Sequence, residues 1–226
     1  VSNGTSAPGS PSAASGAKGR TVVIAGASSA SGKATAAALT AAGARVVVVG
    51  SNLDRLMDDA AAARYECDLA DPSATLDLAK RIRGEVGPVD GLVHLVGGWR
   101  DGHDDDSWEW LSTRILTTLR NTTNAFRDDL TASPAGRLAI VSATAVDRPT
   151  WSNANYATAK AGAEAWLGAV ASGWSKAGTA AAVTYVVRAL GDGDGFTPVS
   201  VLASRITQLW DTPVAELNGA RIRLNA

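Results

Sequence analysis

Cysteine is nearly missing from this chain: Cys67 is the only one in 226 residues. A single cysteine builds neither a disulfide framework nor a cysteine-based zinc site, and it fits a reducing cytoplasm. Charge of one sign is also missing. Lys and Arg number 21 against 22 Asp and Glu, a net charge of −1 with the signs interspersed, which leaves no basic stripe for nucleic acid and no polybasic patch for a membrane. A small-molecule partner is the expectation. No apolar run approaches the roughly 20 residues that span a bilayer, so a soluble protein is expected. Residues 1–19 hold no large apolar residue after Val1 and consist mostly of Gly, Ser, Pro and Ala. Such a segment cannot bury enough surface to offset its ordering entropy and reads as a disordered tail. The sequence starts at Val1 without a methionine, which leaves its natural beginning open.

From residue 20 to residue 226 the pattern is continuous, and one α/β domain is expected. Short β-branched runs at 21–25, 45–49, 65–69, 91–96, 137–142, 182–187 and 220–224 alternate with helical stretches at 33–42, 73–83, about 107–130, the stretch after 154, and 198–210. Strands alternating with helices call for a doubly wound parallel sheet covered on both faces.

Several stretches carry candidate chemistry. After the first strand comes Gly26-Ala27-Ser28-Ser29-Ala30-Ser31-Gly32. There Gly26 permits a tight turn, the loop N–H groups and the Ser28 and Ser29 hydroxyls can bind phosphate, and the next helix N-terminus favours a pyrophosphate. Ala30 stands where a middle glycine is usual. The second strand ends at Gly50-Ser51-Asn52, with no carboxylate to read a ribose 2′-hydroxyl. These residues tolerate a 2′-phosphate, with Lys33 or Arg55 as nearby cations, so NADP is favoured slightly over NAD. Asp68, followed by Leu69, is placed to hydrogen-bond an adenine edge or to cap a turn. Gly97 and Gly98 end the fourth strand where backbone can approach a ligand, and Trp99 follows as a wall of the site or a packing residue. His94 reads as a hydrogen-bonded core histidine. His103-Asp104-Asp105-Asp106 reads as a solvated helix start rather than a metal site.

Tyr156 and Lys160 are four residues apart, one turn apart on the same face of a helix. A lysine ammonium beside a phenol lowers the phenol's pKa, which makes a proton donor for reducing C=O or C=N. The same helix reads ATAKAGAEAWLGAVA from Ala157 to Ala171, small or apolar nearly all round. That predicts a homodimer or homotetramer built through it.

With these pieces in order, residues 20–226 resemble the short-chain dehydrogenase/reductase family. The resemblance implies a single-domain Rossmann fold with seven strands ordered 3-2-1-4-5-6-7, and hydride transfer from a nicotinamide cofactor. It further implies Tyr156 as proton donor and Lys160 as the ribose-binding residue that lowers the tyrosine pKa. Two of the family's usual partners are absent: its serine falls on Ala143 and its helix asparagine falls near Arg114. Ser142 and Thr144 flank the serine position, but alternation along a strand turns their side chains to the other face. Together with the Val96–Trp99 run, the Tyr156–Lys160 motif and Phe196-Thr197-Pro198, Ala143 is similar to the quinonoid dihydropteridine reductase branch. There an electrophilic pterin needs little carbonyl polarisation, and Trp99 and Ala143 would face it. A non-catalytic nucleotide-binding protein with a degenerate site is the alternative.

Overall fold

A computed structural model describes residues 15–56, 61–176 and 178–225. Its valine-rich runs form β1 (Thr21–Ala25), β2 (Arg45–Gly50), β3 (Ala63–Glu66), β4 (Gly91–His94), β5 (Arg137–Ala143), β6 (Ala181–Val187) and β7 (Arg221–Arg223). All pairings are parallel, in the order β3-β2-β1-β4-β5-β6-β7. Ala25 lies opposite Val49 on one side and His94 on the other, so the strands end along one common edge. The order reverses between β1 and β4, which opens a crevice at that edge.

Alternation along each strand sends side chains into two cores. Val22 and Ile24 meet Leu39 of α1 (Ala30–Ala41) and Ile206 of α6 (Val199–Thr207). On the opposite face Val23 and Ala25 join the core of α2 (Pro72–Glu85), α4 (Thr118–Ala132) and α5 (Ala154–Trp174). Strands buried on both faces need continuous apolar runs, which is why β1, β2 and β6 were legible as such.

Three features differ from the sequence reading. The helix expected over about 107–130 is broken: α3 (Asp105–Ser112) passes into a π-helical turn at Thr113–Thr117 before α4 begins. The Thr118 N–H reaches back to Thr113 O, while the Thr118 hydroxyl donates to Arg114 O at 2.7 Å. One extra residue in the turn rotates the helix face, and Arg114 swings to donate from Nε to Gly97 O at 3.1 Å. A short helix α7 (Val214–Leu217) precedes β7 and was not anticipated. Finally, residues 15–19, assigned to the tail, are packed: Ala17 is fully buried, and the Gly16 N–H donates to the Asp211 carboxylate at 2.7 Å. A side chain at Gly16 would strike Trp210 O. Residues 1–14 of the expected tail lie outside the described residues.

Candidate active site

The C-terminal edge of the sheet opens into a cleft of about 1100 Å³. Its walls come from the ends of β4, β5 and β6, from α5 and from the loop leading into α1, and they bring together Gly97, Gly98, Trp99, Ala143, Tyr156 and Lys160. Beside it, toward β2, lies a smaller compartment of about 290 Å³ lined by Gly26, Ser28, Ser51, Arg55, Asp68 and Leu69. Ser29, Leu95, Val96 and Gly97 border both. Residues scattered from 26 to 188 thus converge because parallel strands present all their C-terminal ends to one edge.

Tyr156 and Lys160 face the same cleft, but their relation is not the one expected. Lys160 is buried and its Nζ donates to Val141 O at 2.7 Å. The Nζ lies 5.9 Å from the centre of the Tyr156 ring. Burial pushes the lysine down to about 8, against the pull of Glu164 one turn further along. Burial pushes the Tyr156 phenol up to about 12. The expected lowering of the tyrosine by the lysine is therefore corrected: lost hydration dominates, and the ammonium is held by a backbone carbonyl. Tyr156 is a neutral phenol at physiological pH, protonated and so able to give a proton, but a weaker acid than a free tyrosine.

His94 is the buried, hydrogen-bonded histidine the sequence suggested. Thr118 Oγ1 lies 3.2 Å from Nε2 and Thr122 Oγ1 lies 3.1 Å from Nδ1. Burial, with Lys160 nearby, pushes its pKa down to about 3, so the ring stays neutral.

Ala143 is buried at the end of β5, with no hydroxyl to offer a substrate. Ser142 is turned to α5 as alternation requires, and its hydroxyl donates to Glu164 Oε1 at 2.5 Å. Thr144 departs from the strand pattern: it opens a 3-10 turn at Thr144–Val146 and lines the cleft. Gly98 has φ of +151°, and a side chain there would strike the Trp110 ring. Its glycine serves this packing, whereas a side chain at Gly97 would meet Lys160 Nζ at an ordinary contact distance of 3.7 Å. Trp110, missed in the sequence, is stacked between the Arg100 and Arg114 guanidiniums, each 4.8 Å from its ring. Trp99 is 65% exposed at the rim of the cleft.

In the smaller compartment several expected roles shift. Ser29 caps α1, accepting from the Gly32 N–H at 3.0 Å and donating to Gly26 O at 3.0 Å. Its hydroxyl is committed to the loop rather than free for phosphate. The N–H groups of Ala30 and Ser31, in the first turn of α1, have no intrahelical carbonyl to bond. Gly32 is buried, and a side chain on it would strike Ala27 at 2.6 Å. At Gly26, with φ of +84°, a side chain would meet the backbone of Leu95 and Val96 at 2.8 Å. The loop is thus pressed flat beneath a helix N-terminus, a cradle that fits a pyrophosphate. Asn52 caps the turn Leu53–Arg55 by accepting from the Arg55 N–H at 3.2 Å and does not line the compartment. Asp68 lines it and accepts from the Ala70 N–H at 2.9 Å, the turn-capping role expected of it. Of the two cations considered, Arg55 lines the compartment and Lys33 does not. Asp104 caps α3 by accepting from the Ser107 N–H at 2.7 Å, and His103 stacks on Trp151.

The sequence model of the short chain dehydrogenases matches residues 20–190. The chain is 29% identical over 162 residues to a 2,3-dihydro-2,3-dihydroxybenzoate dehydrogenase of Bacillus subtilis, covering 66% of this chain and 62% of that protein. It is 28% identical over 154 residues to a 3-oxoacyl-(acyl-carrier-protein) reductase of Salmonella typhimurium, covering 64% and 63%. The matches thus span less than two thirds of either relative. Among solved structures, a metagenomic short-chain oxidoreductase in complex with NADP superposes with a TM-score of 0.78 at 22% identity, over 93% of this chain and all of that one. An NADPH-bound short-chain oxidoreductase from Pseudomonas aeruginosa PAO1, described as containing an atypical catalytic center, gives 0.82 at 18% identity, over 91% and 95%. These structural likenesses speak to the fold. With the family model covering most of the described domain, this chain belongs to the short-chain dehydrogenase/reductase family.

Proposed function

We propose that this protein is an NADP(H)-dependent oxidoreductase that reduces a small, already activated C=O or C=N bond. The observation that carries the reading is the entry of Tyr156 and Lys160 from α5 into one cleft with Gly97, Trp99 and Ala143. The same observation favours an enzyme over a non-catalytic nucleotide-binding protein, because a lysine buried at this cost has little structural purpose.

The cofactor that the two compartments would hold, NADPH, would supply the hydride for the substrate carbon. The Tyr156 hydroxyl gives its proton to the substrate oxygen or nitrogen, and its raised pKa keeps it protonated across the neutral range. Lys160, held at Val141 O and beside Gly97, would bind the ribose hydroxyls of the cofactor. Ala143 offers no hydrogen bond to polarise a carbonyl, so the substrate must be electrophilic by itself. A quinonoid dihydropterin meets that requirement, with Trp99 as a wall. Measuring NADPH and NADH oxidation against quinonoid dihydropterin, quinones, aldehydes and ketones tests this reading, and no turnover with any activated substrate would overturn it.

The cofactor preference rests on Gly50, Ser51 and Arg55 at the adenosine end. Arg55→Ala should weaken NADPH binding about tenfold and leave NADH unchanged, because it removes a cation suited to the 2′-phosphate. Gly50→Asp should favour NADH; its Cβ would sit 3.0 Å from the flexible end of Leu56, which has to yield slightly. Calorimetry with both cofactors reads both effects, and a native preference for NADH would refute the assignment.

The protein assembles as a homodimer or homotetramer through α5. Ala161, Ala165, Gly168 and Ala169 are exposed on its outer face, and a side chain at Gly168 would meet only open space. A second helix can approach such a face closely. Light scattering should give at least twice the monomer mass, and Ala165→Arg should dissociate the assembly; a monomeric native protein would rule it out.

A further inference from the structure

The end of the cleft farthest from the adenosine compartment is basic. Arg148 follows β5, Arg188 follows β6, and Arg223 ends β7; all three line the cleft together with Lys160. The one carboxylate on that lining, Asp147, is already matched: its Oδ1 accepts from Arg221 at 2.8 Å and its Oδ2 from Arg223 at 2.6 Å. Glu164, behind it, is held by Arg221 at 2.8 Å and by Ser142. Lys160 is held by Val141 O. Arg148 and Arg188 form no ion pair among the described residues. Asp192 and Asp194, on the turn after Arg188, do not line the cleft and pair with neither arginine.

The sheet order decides what these cations are for. The phosphate-cradling loop follows β1, and Arg188 follows β6, three strands away. At the spacing of neighbouring strands this is about 14 Å. Arg148 follows β5, two strands from β1, and Arg223 ends β7, four strands from it. Cations for the cofactor's phosphates belong near β1 and β2, where Arg55 stands. Two guanidiniums that line the same cleft as Tyr156, without an ion pair among the described residues, are instead placed for a group on the substrate.

Resting on the proposed reductase reading, we infer that the substrate carries a carboxylate or equivalent acidic group beside its reducible C=O or C=N, bound by Arg188 and Arg148. Guanidinium is suited to this because its fork of N–H donors matches a carboxylate. This deepens the substrate class to activated oxo or imino compounds that carry an acid, which a pterin meets only if its side chain bears one.

The test uses two probes, 2-oxobutanoate, whose carboxylate adjoins an activated carbonyl, and its methyl ester, followed by calorimetry on the NADP-loaded protein and by NADPH oxidation. The native protein should bind the acid at least tenfold more tightly than the ester. Arg148→Ala with Arg188→Ala should abolish that discrimination, while NADPH affinity stays within a factor of two. Arg188→Glu should reverse the preference, and because both arginines are exposed these variants should fold. Equal binding of acid and ester, or discrimination that survives the double variant, would overturn the inference. NADPH binding is read separately. A protein that binds the acid through these arginines but takes no NADPH would refute the reductase reading and leave the anion site standing.

Discussion

Tyr156→Phe should lower turnover by roughly 10²–10⁴-fold, the usual share of a positioned proton donor, while NADPH affinity stays within a few-fold. The substitution removes one hydroxyl from a partly buried side chain of α5 that packs on the core, so the shape of the site survives. The raised phenol pKa adds a pH signature. A donor that stays protonated to about pH 12 imposes no loss of reduction rate across the neutral and mildly alkaline range, so any fall between pH 7 and 10 must come from another group. Lys160, at about 8, is that group. The reduction rate should therefore decline as pH rises through about 8 while the Tyr156→Phe variant is slow throughout. Native-like turnover in Tyr156→Phe would remove the tyrosine from the chemistry.

Lys160→Met should move activity and stability in opposite directions. Activity should fall at least a hundredfold, since the ribose-binding cation is lost. Stability should rise. The lysine is only 8% exposed, and its depression from 10.5 to about 8 corresponds to about 3 kcal/mol against folding at neutral pH. Losing the hydrogen bond to Val141 O offsets part of this, which leaves a net gain of about 1–2 kcal/mol. The sign follows from linkage: between pH 8 and 10.5 the unfolded chain holds a proton that the folded chain has released, so the native protein gains stability as pH rises. The advantage of Lys160→Met is thus largest below pH 8 and shrinks toward pH 10.5. Denaturant titrations of both proteins at pH 7 and pH 10 measure it. A variant less stable than the native chain at pH 7 would show that the lysine supports the fold rather than burdening it.

Much of the architecture could be read from residue patterns, because strands such as Val46–Val49 and Ala182–Val187 are buried on both faces and admit little but apolar residues. The Tyr156–Lys160 spacing and the glycine loop were legible for a similar reason: each depends on local geometry. What escaped depends on distant partners. The direction of the Tyr156 shift is set by burial, and Nζ is engaged by Val141, nineteen residues back in the sequence. The break at Thr113–Thr117 arises from threonine hydroxyls competing for helical carbonyls, a tendency too weak to place in a long helical pattern. Asn52, expected at a 2′-phosphate, instead caps the next turn, and the packing of residues 15–19 needs Asp211 from the far end of the chain. Trp110, Arg148 and Arg188 sit in no motif; the sheet order brings the two arginines to the cleft, and Trp110 reaches Gly98 from α3.

Trp110 has an optical consequence. Its indole lies between two guanidiniums beneath Gly98, and Trp99 stands at the rim of the same cleft. Indole emission overlaps the absorption band of a reduced nicotinamide but not that of an oxidised one. Energy transfer from these two tryptophans would therefore dim their fluorescence when the reduced cofactor enters and restore it on oxidation, so the protein carries its own reporter of the redox state of whatever fills its cleft.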